Sequence, residues 1–463
     1  MSGKTCRNCS SEGENEVVSS ETAEHRSVWE RLFHLSASGT TFKTEVLAGF
    51  TTFMTMSYIL FVNPNIIKAA GIPVQAAFAA TAIASAFATL LMGFLANYPI
   101  ALAPGMGLNA FFTYSVVIGM HLPWQTALGA VFISGLVFFI LTVTKVREWI
   151  IYGVPEVLRL SIGVGIGLFI TIIGLENAGL VVKNSDTLVQ LGNMRDPGVL
   201  VAVAGLIITA WLLSRRVRGA FLIGIILTSI LAMITGVSPA PRSIGAVVSP
   251  VNPFAALTPT FWHLSITGVL NAGLITILFA FTFVDMFDNI GTLIGVTRKA
   301  GLLDEKGNLP RMGRALLVDS IATMFGSIMG TPTVTSYIES ASGVSEGGKT
   351  GLTSVVVALL FLVAIVFAPL VGLIPAQATA PVLILVGLLM MSEVVKIKFD
   401  DFTEAFPAFL TIVMMPFTYS IAQGLAFGFM AYTVVKLISG RHRENNAVTY
   451  TLTILFILHF VLG

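Results

Sequence analysis

The sequence predicts an all-α polytopic membrane protein whose fourteen transmembrane segments form a seven-plus-seven inverted repeat. Three observations carry this reading. Of 463 residues, 55% are hydrophobic and only 11% charged, against roughly 25% charged in a soluble domain, so a water-facing surface cannot be covered. Apolar stretches recur along most of the chain, at the roughly 17–25 residues needed to cross ~30 Å of hydrocarbon. The two halves also echo one another: ATLLMGFLANYPIALAPGMGLNAFF (88–112) and ATMFGSIMGTPTVTSYIESASG (322–343) each run from a helix through proline into glycine-rich backbone and a new helix. With an odd number of spans per half, such echoes point to the inverted repeats of secondary transporters.

Residues 1–35 are polar and read as a disordered cytoplasmic tail. Their two cysteines, Cys6 and Cys9, have no second pair or histidine cluster to complete a zinc site, so they read as plain tail thiols. The first repeat (36–236) places spans near 44–66, 74–97, 101–119, 122–144, 155–178, 197–213 and 219–236. A proline-containing extracytoplasmic linker (237–265) follows. The second repeat (266–440) places spans near 267–297, 314–330, 333–345, 351–373, 378–395, 405–420 and 422–439. The fifth and twelfth spans share a proline-led start and an I-G-V or L-V-G centre. A C-terminal tail (441–463) holds a short apolar segment, 451–463, expected to lie along the interface or pack on the bundle. Sides alternate along these spans. Of the 26 Lys and Arg, only Lys68, Lys183, Arg195 and Arg242 then fall outside, with Arg159 early in the fifth span. Positive charge concentrates in the cytoplasm, so both termini are expected there, in a plasma or bacterial inner membrane.

The chemistry is expected at the two broken segments. Pro99 and Pro104 precede a helix starting near Gly105, and Pro332 precedes one starting near Tyr337. Irregular backbone at membrane depth persists only where protein or a cavity satisfies it. Helices that begin there aim free N–H groups and a positive dipole end into the site. Asp285 lies near the middle of the eighth span, where an acid costs about 2.5–3.5 kcal/mol on insertion scales. Asp288 is three residues further on, on the same expected face, and Glu339 falls in the first turn of the second half-helix. Asp319 is five residues from Arg314 and can pair with it. Buried carboxylates of this kind accept hydrogen bonds from a substrate and take up protons. Asn109 adds a two-way amide, and Phe111, Phe112, Tyr114 and Phe283 are candidates for stacking or for plain packing. The pattern suggests a proton-coupled carrier of a small polar molecule with N–H donors. An intramembrane enzyme would need HExxH or a Ser–His pair at membrane depth, and the six histidines are scattered. An anion carrier would put a cation at the half-helix ends, where no Lys or Arg stands. A channel would conduct without coupling. No cofactor, metal or nucleic acid is expected; membrane lipid is.

IALAPGMGLNAFFTY (100–114), FVDMFDNIGTLIGV (283–296) and TPTVTSYIESASGVSEGGKTG (331–351) resemble the signature segments of the AzgA-like purine permeases. These are the adenine/guanine/hypoxanthine branch related to the nucleobase–cation symporters, and the likeness spans roughly residues 36 to 440. It implies a core domain and a gate domain, the gate built from spans five to seven and twelve to fourteen. It implies purine contacts at Asp285, Glu339 and Asn109. Asp288 then acts in proton coupling or site shaping, and Glu339 shares the coupling role. A homodimer through the gate is a further expectation. Guanine and hypoxanthine present N–H donors that a carboxylate accepts in pairs, which favours them over adenine; uracil or xanthine is the same-fold alternative. Asn289 and Ile290 depart from the small residues common there and would narrow the cavity.

Overall fold

In the computed structural model the described residues are 28–144, 153–241, 243, 245, 247–248, 252–271, 275–304 and 309–462. Cys6 and Cys9 lie outside them. A first short helix α1 (Val28–Phe33) precedes α2 (Phe42–Met56), whose start is capped by Thr41 accepting from the Thr44 N–H. A turn of helical backbone at Ser57–Tyr58 lies between α2 and α3 (Ile59–Lys68), and the two run together as one apolar stretch, Phe42–Lys68, over the first expected span. After Pro73, α4 (Val74–Leu91) ends in a widened turn, Met92–Ala96, stopped by the left-handed Asn97. The chain then runs extended as β1 (Leu102–Pro104) before α5 (Met106–Ala110), which continues as a wide helix through Gly119. Next come α6 (Trp124–Val143), α7 (Glu156–Asn177), the hairpin β2 (Val181–Asn184) and β3 (Leu188–Leu191), α8 (Pro197–Ser214) and α9 (Ala220–Ile234).

In the second half, α10 (Pro253–Leu257) and α11 (Ile266–Asn271) lead to α12 (Ile275–Lys299) and α13 (Met312–Met329). β4 (Val334–Ser336) and α14 (Ser340–Ser345) follow. The chain ends in α15 (Gly351–Ala364), α16 (Ala376–Met391), α17 (Phe402–Phe417), α18 (Ile421–Ile438) and α19 (Ala447–Leu462). Among the described residues, nine helical stretches are long and apolar enough to cross a membrane. The segments expected to make the other five spans hold shorter or more polar elements: α5 with its extension, α9, α12, β4 with α14, and α17. The expected all-α fold is therefore mostly helical, with two small two-stranded sheets that helix periodicity alone did not predict.

The helices pack as two groups. One joins α2, α3, α4, α6, α12, α13, α14 and α15; the other joins α7, α8, α9, α16, α17 and α18. The second group is centred on α7 against α16, the fifth and twelfth expected spans, each following a proline (Pro155, Pro375). Small residues let these two backbones touch. A Cβ at Gly387 would stand 2.5 Å from the Gly167 carbonyl oxygen and 2.1 Å from Thr171 Oγ1. The C-terminal apolar segment forms α19 and packs on α18: Thr433 and Thr453 hydroxyls are 2.7 Å apart, and the Phe429 and Phe456 rings 6.0 Å. Outward faces carry exposed Leu136, Ile140 and Val143 on α6 and Leu388 and Leu389 on α16, as a hydrocarbon surround requires.

Candidate functional site

Prolines prevent either broken segment from continuing as a helix, and the freed backbone groups are satisfied by each other. β1 and β4 pair antiparallel, with Leu102 opposite Ser336, Ala103 opposite Thr335 and Pro104 opposite Val334. The Gly105 N–H donates to the Thr333 carbonyl and the Tyr337 N–H to the Ala101 carbonyl, both at 2.9 Å. The Tyr337 hydroxyl donates to the Pro104 carbonyl at 2.6 Å. Gly105 is required by proximity, since a Cβ there would meet Thr335 Cγ2 at 2.8 Å.

Beside this ribbon lies a cavity of about 90 Å³. The ribbon side supplies Tyr58, the start of α5, Asp288 with Val284 and Thr292, and the stretch from Thr335 to Glu339; the second helix group closes it with Ile166, Val386 and Met390. Two carboxylic acids, Asp288 and Glu339, are among its lining residues. Glu339 Oε1 accepts the Tyr58 hydroxyl at 2.6 Å. The Thr335 and Ser336 hydroxyls have no hydrogen-bond partner among the described residues. No Lys or Arg lines the cavity, and no cluster suited to a metal ion occurs among the described residues.

The structure divides the residues the sequence singled out. Glu339 and Asp288 both line the cavity. Glu339 precedes the first turn of α14 rather than standing in it; its side chain bonds Tyr58 and makes no cap. Asp285 does not line the cavity. It is fully buried towards α13, where Thr323 Oγ1 lies 3.5 Å from its Oδ2. Asn109 also sits behind the wall: its Nδ2 donates to Asn63 Oδ1 at 2.7 Å, and Asn63 in turn donates to Thr81 and Thr331. Phe111 packs edge-on against Phe281 at 5.1 Å and Phe283 against Phe287 at 6.1 Å, and none of these rings lines the cavity. Asp319 is fully buried while Arg314 is exposed. Asn289 and Ile290, expected to narrow the cavity, point away from it, because its α12 face is the stripe Val284, Asp288 and Thr292.

Two residues escaped the sequence reading. Tyr58 carries the hydroxyl that holds Glu339; the only signal was an aromatic in the middle of the first span. Glu45 is fully buried and accepts from the N–H groups of Lys349, Thr350 and Thr353 and from the Thr353 hydroxyl. Its signal was an acid at the start of an apolar run.

Comparison with known proteins completes the picture. The model of the permease family Xan_ur_permease matches residues 43–427. The chain is 48% identical over 438 residues to the adenine permease AdeP of Escherichia coli (strain K12), covering 93% of this chain and 96% of that one. It is 44% identical over 441 residues to the guanine/hypoxanthine permease PbuG of Bacillus subtilis (strain 168), covering 93% and 98%. In fold it is similar to the transmembrane domain of a cyanobacterium bicarbonate transporter, BicA, with a TM-score of 0.62 and 15% identity over 82% of this chain and 97% of that one. A family model spanning most of the chain and relatives at 44% and 48% identity lead to one conclusion: the chain belongs to the Xan_ur_permease family and is a multi-pass membrane transporter, not an enzyme.

Proposed function

We propose that this permease imports purine nucleobases together with protons, guanine and hypoxanthine ahead of adenine. The observation that carries the reading is the placing of Glu339 and Asp288 on one cavity. Relatives named for adenine and for guanine/hypoxanthine support the substrate class, and their similar identities leave the order to the chemistry. An ionised carboxylate accepts the paired N–H donors of guanine or the N1–H of hypoxanthine. Adenine, with a ring acceptor beside its amino group, calls for a donor there. Two ionised carboxylates in one apolar-walled space are costly, which makes a proton the natural companion of the base. Asp285 and Asn109 support the wall from behind. The helix group bearing the ribbon is the core, the group built on α7 and α16 the gate, and both termini face the cytoplasm. A carrier of uracil or xanthine is the same-fold alternative; an anion carrier is disfavoured by a cavity without Lys or Arg.

The test is uptake of labelled guanine, hypoxanthine, adenine, uracil and xanthine into proteoliposomes, with and without an inward proton gradient. Loss of a hydrogen bond to a charged group costs about 1.5–3 kcal/mol, so Glu339→Gln is expected to weaken purine binding about 10- to 100-fold. Gradient-driven accumulation lost in Glu339→Gln and Asp288→Asn supports the reading. Unchanged purine affinity and uptake in both correctly inserted variants would sink it.

A further inference from the structure

Tyr58 is fully buried and has two distinct partners. Its hydroxyl donates to Glu339 at 2.6 Å within the helix group that bears the ribbon. Its ring packs edge-on against Phe221, 5.1 Å between centroids and 63° between planes, and Phe221 belongs to α9 of the other group. Tyr58 itself stands in the two-residue turn between α2 and α3, outside either helix. Around this contact the seam is open. An apolar cavity of about 350 Å³ lies next to it, lined by Phe53, Leu60 and Phe61 on one side and Leu222 and Ile226 on the other. Helix α9 therefore meets the first span at two places, at its start where Gly219 lies against Met54 and at this ring pair, with the apolar cavity beside the second.

We infer that Tyr58 is a positioning residue that reports the state of Glu339 to the facing helix group through Phe221. The inference rests on the proposed role of Glu339 at the substrate cavity. Coupling between sites needs a contiguous physical link whose arrangement both ends bias. Other contacts cross the same seam, such as the Arg218–Glu346 ion pair at 2.5 Å, but Tyr58 is the side chain that touches both Glu339 and the facing group. When a ligand takes the Glu339 oxygen, or a proton there turns it from acceptor to donor, the bond to the Tyr58 hydroxyl is lost or reversed, and the ring that turns with that hydroxyl is the one resting on Phe221. The adjoining cavity leaves room for that ring, and for α9, to shift.

The experiment separates this link from purine transport. Spin labels are placed at the exposed positions Lys43→Cys, at the start of α2, and Arg215→Cys, at the end of α8. The background has Cys6→Ser and Cys9→Ser, which removes both native cysteines. The inter-label distance distribution is measured in nanodiscs without substrate. Glu339→Gln is expected to shift the distribution. The shift is expected to shrink by more than half in Tyr58→Phe, which keeps the ring and loses the hydroxyl, and in Phe221→Ala, with no further loss when both are combined. Phe221→Leu stands in if the alanine variant does not fold. A Glu339→Gln shift that survives intact in either background overturns the inference, and so does the absence of a shift in the native background. Adding guanine, hypoxanthine or adenine to the same samples tests the proposed function separately. If no base moves the distribution or is taken up, the substrate reading fails while the link is still judged. In uptake, Phe221→Ala is expected to lower the maximal rate severalfold with little change in KM.

Discussion

Asp285 and Asp288 stand three residues apart, yet they meet different neighbours. At 3.6 residues per turn, that spacing leaves about 60° between their directions. On a helix packed from several sides, this separates the cavity from α13. Asp288 continues the stripe of Val284 and Thr292, whereas Asp285 faces Thr323, whose hydroxyl also approaches the Val334 carbonyl of β4. Asp285→Asn is thus expected to act mainly on stability, by about 1–3 kcal/mol for a disturbed buried polar group, and less on purine affinity than Asp288→Asn or Glu339→Gln. Thermal unfolding in detergent beside equilibrium binding checks the order; equal losses of affinity in all three would refute it. The acids were legible in the sequence because charge is conspicuous among apolar neighbours. Their sorting was not, since it depends on a rotation that spacing alone does not specify. Tyr58 stayed hidden for a related reason: no proline or glycine marks the turn that frees it.

At the scale of elements, the start of α15 is held from another helix. Glu45, in the first turn of α2, accepts three backbone N–H groups around Thr350, while Thr350 caps its own helix through the Leu352 N–H. The sequence shows Glu45 only as an acid favoured by its own helix dipole; that it serves a helix some 300 residues away is a tertiary fact. Removing it orphans buried donors, so Glu45→Ala is expected to cost about 3 kcal/mol or more and Glu45→Gln less. Chemical unfolding of the two variants reads the difference, and equal stability would refute the capping role. The same corner depends on contact between backbones. A Cβ at Gly351 would stand 2.0 Å from the Gly93 carbonyl oxygen, so Gly351→Ala is expected to lower the yield of folded protein sharply. Prolines and glycines announced where helices break. What the broken ends would pair with was not written in any local pattern, because the ribbon joins strands more than two hundred residues apart.

For the whole molecule, two helix groups meet at a seam and an ionic cluster fastens one end of the second. Lys436, fully buried, pairs with Glu444 at 2.6 Å, and Arg441 bonds both Glu444 and Asp401. The Arg441 guanidinium holds the Asp401 carboxyl well below its usual value of 3.8, helped by Thr403. Lys436, then Arg441, lowers that of Glu444. A depressed folded-state value contributes stability that is full above the unfolded-state value and is lost as pH falls through the folded one. The cluster is therefore constant from pH 5 to 8. Arg441→Gln is expected to lower the melting temperature by the same amount at both ends of that range, with the gap closing only below about pH 4. A gap that varies between pH 5 and 8 would contradict this. A change of purine uptake across that range then does not come from this fastening. Spans and broken segments could be read from hydropathy and proline; the partition into two groups became visible only in which helices touch.

The six residues of the ribbon carry a demand of their own. In a paired strand, a shift of one residue hands every side chain to the opposite face. A single deletion within 102–104 or 334–336 would turn Thr335 and Ser336 relative to the cavity and carry Glu339 with them. Point substitutions that keep the backbone leave that alignment standing. Length is the one property these two strands cannot trade, and each holds the other to it.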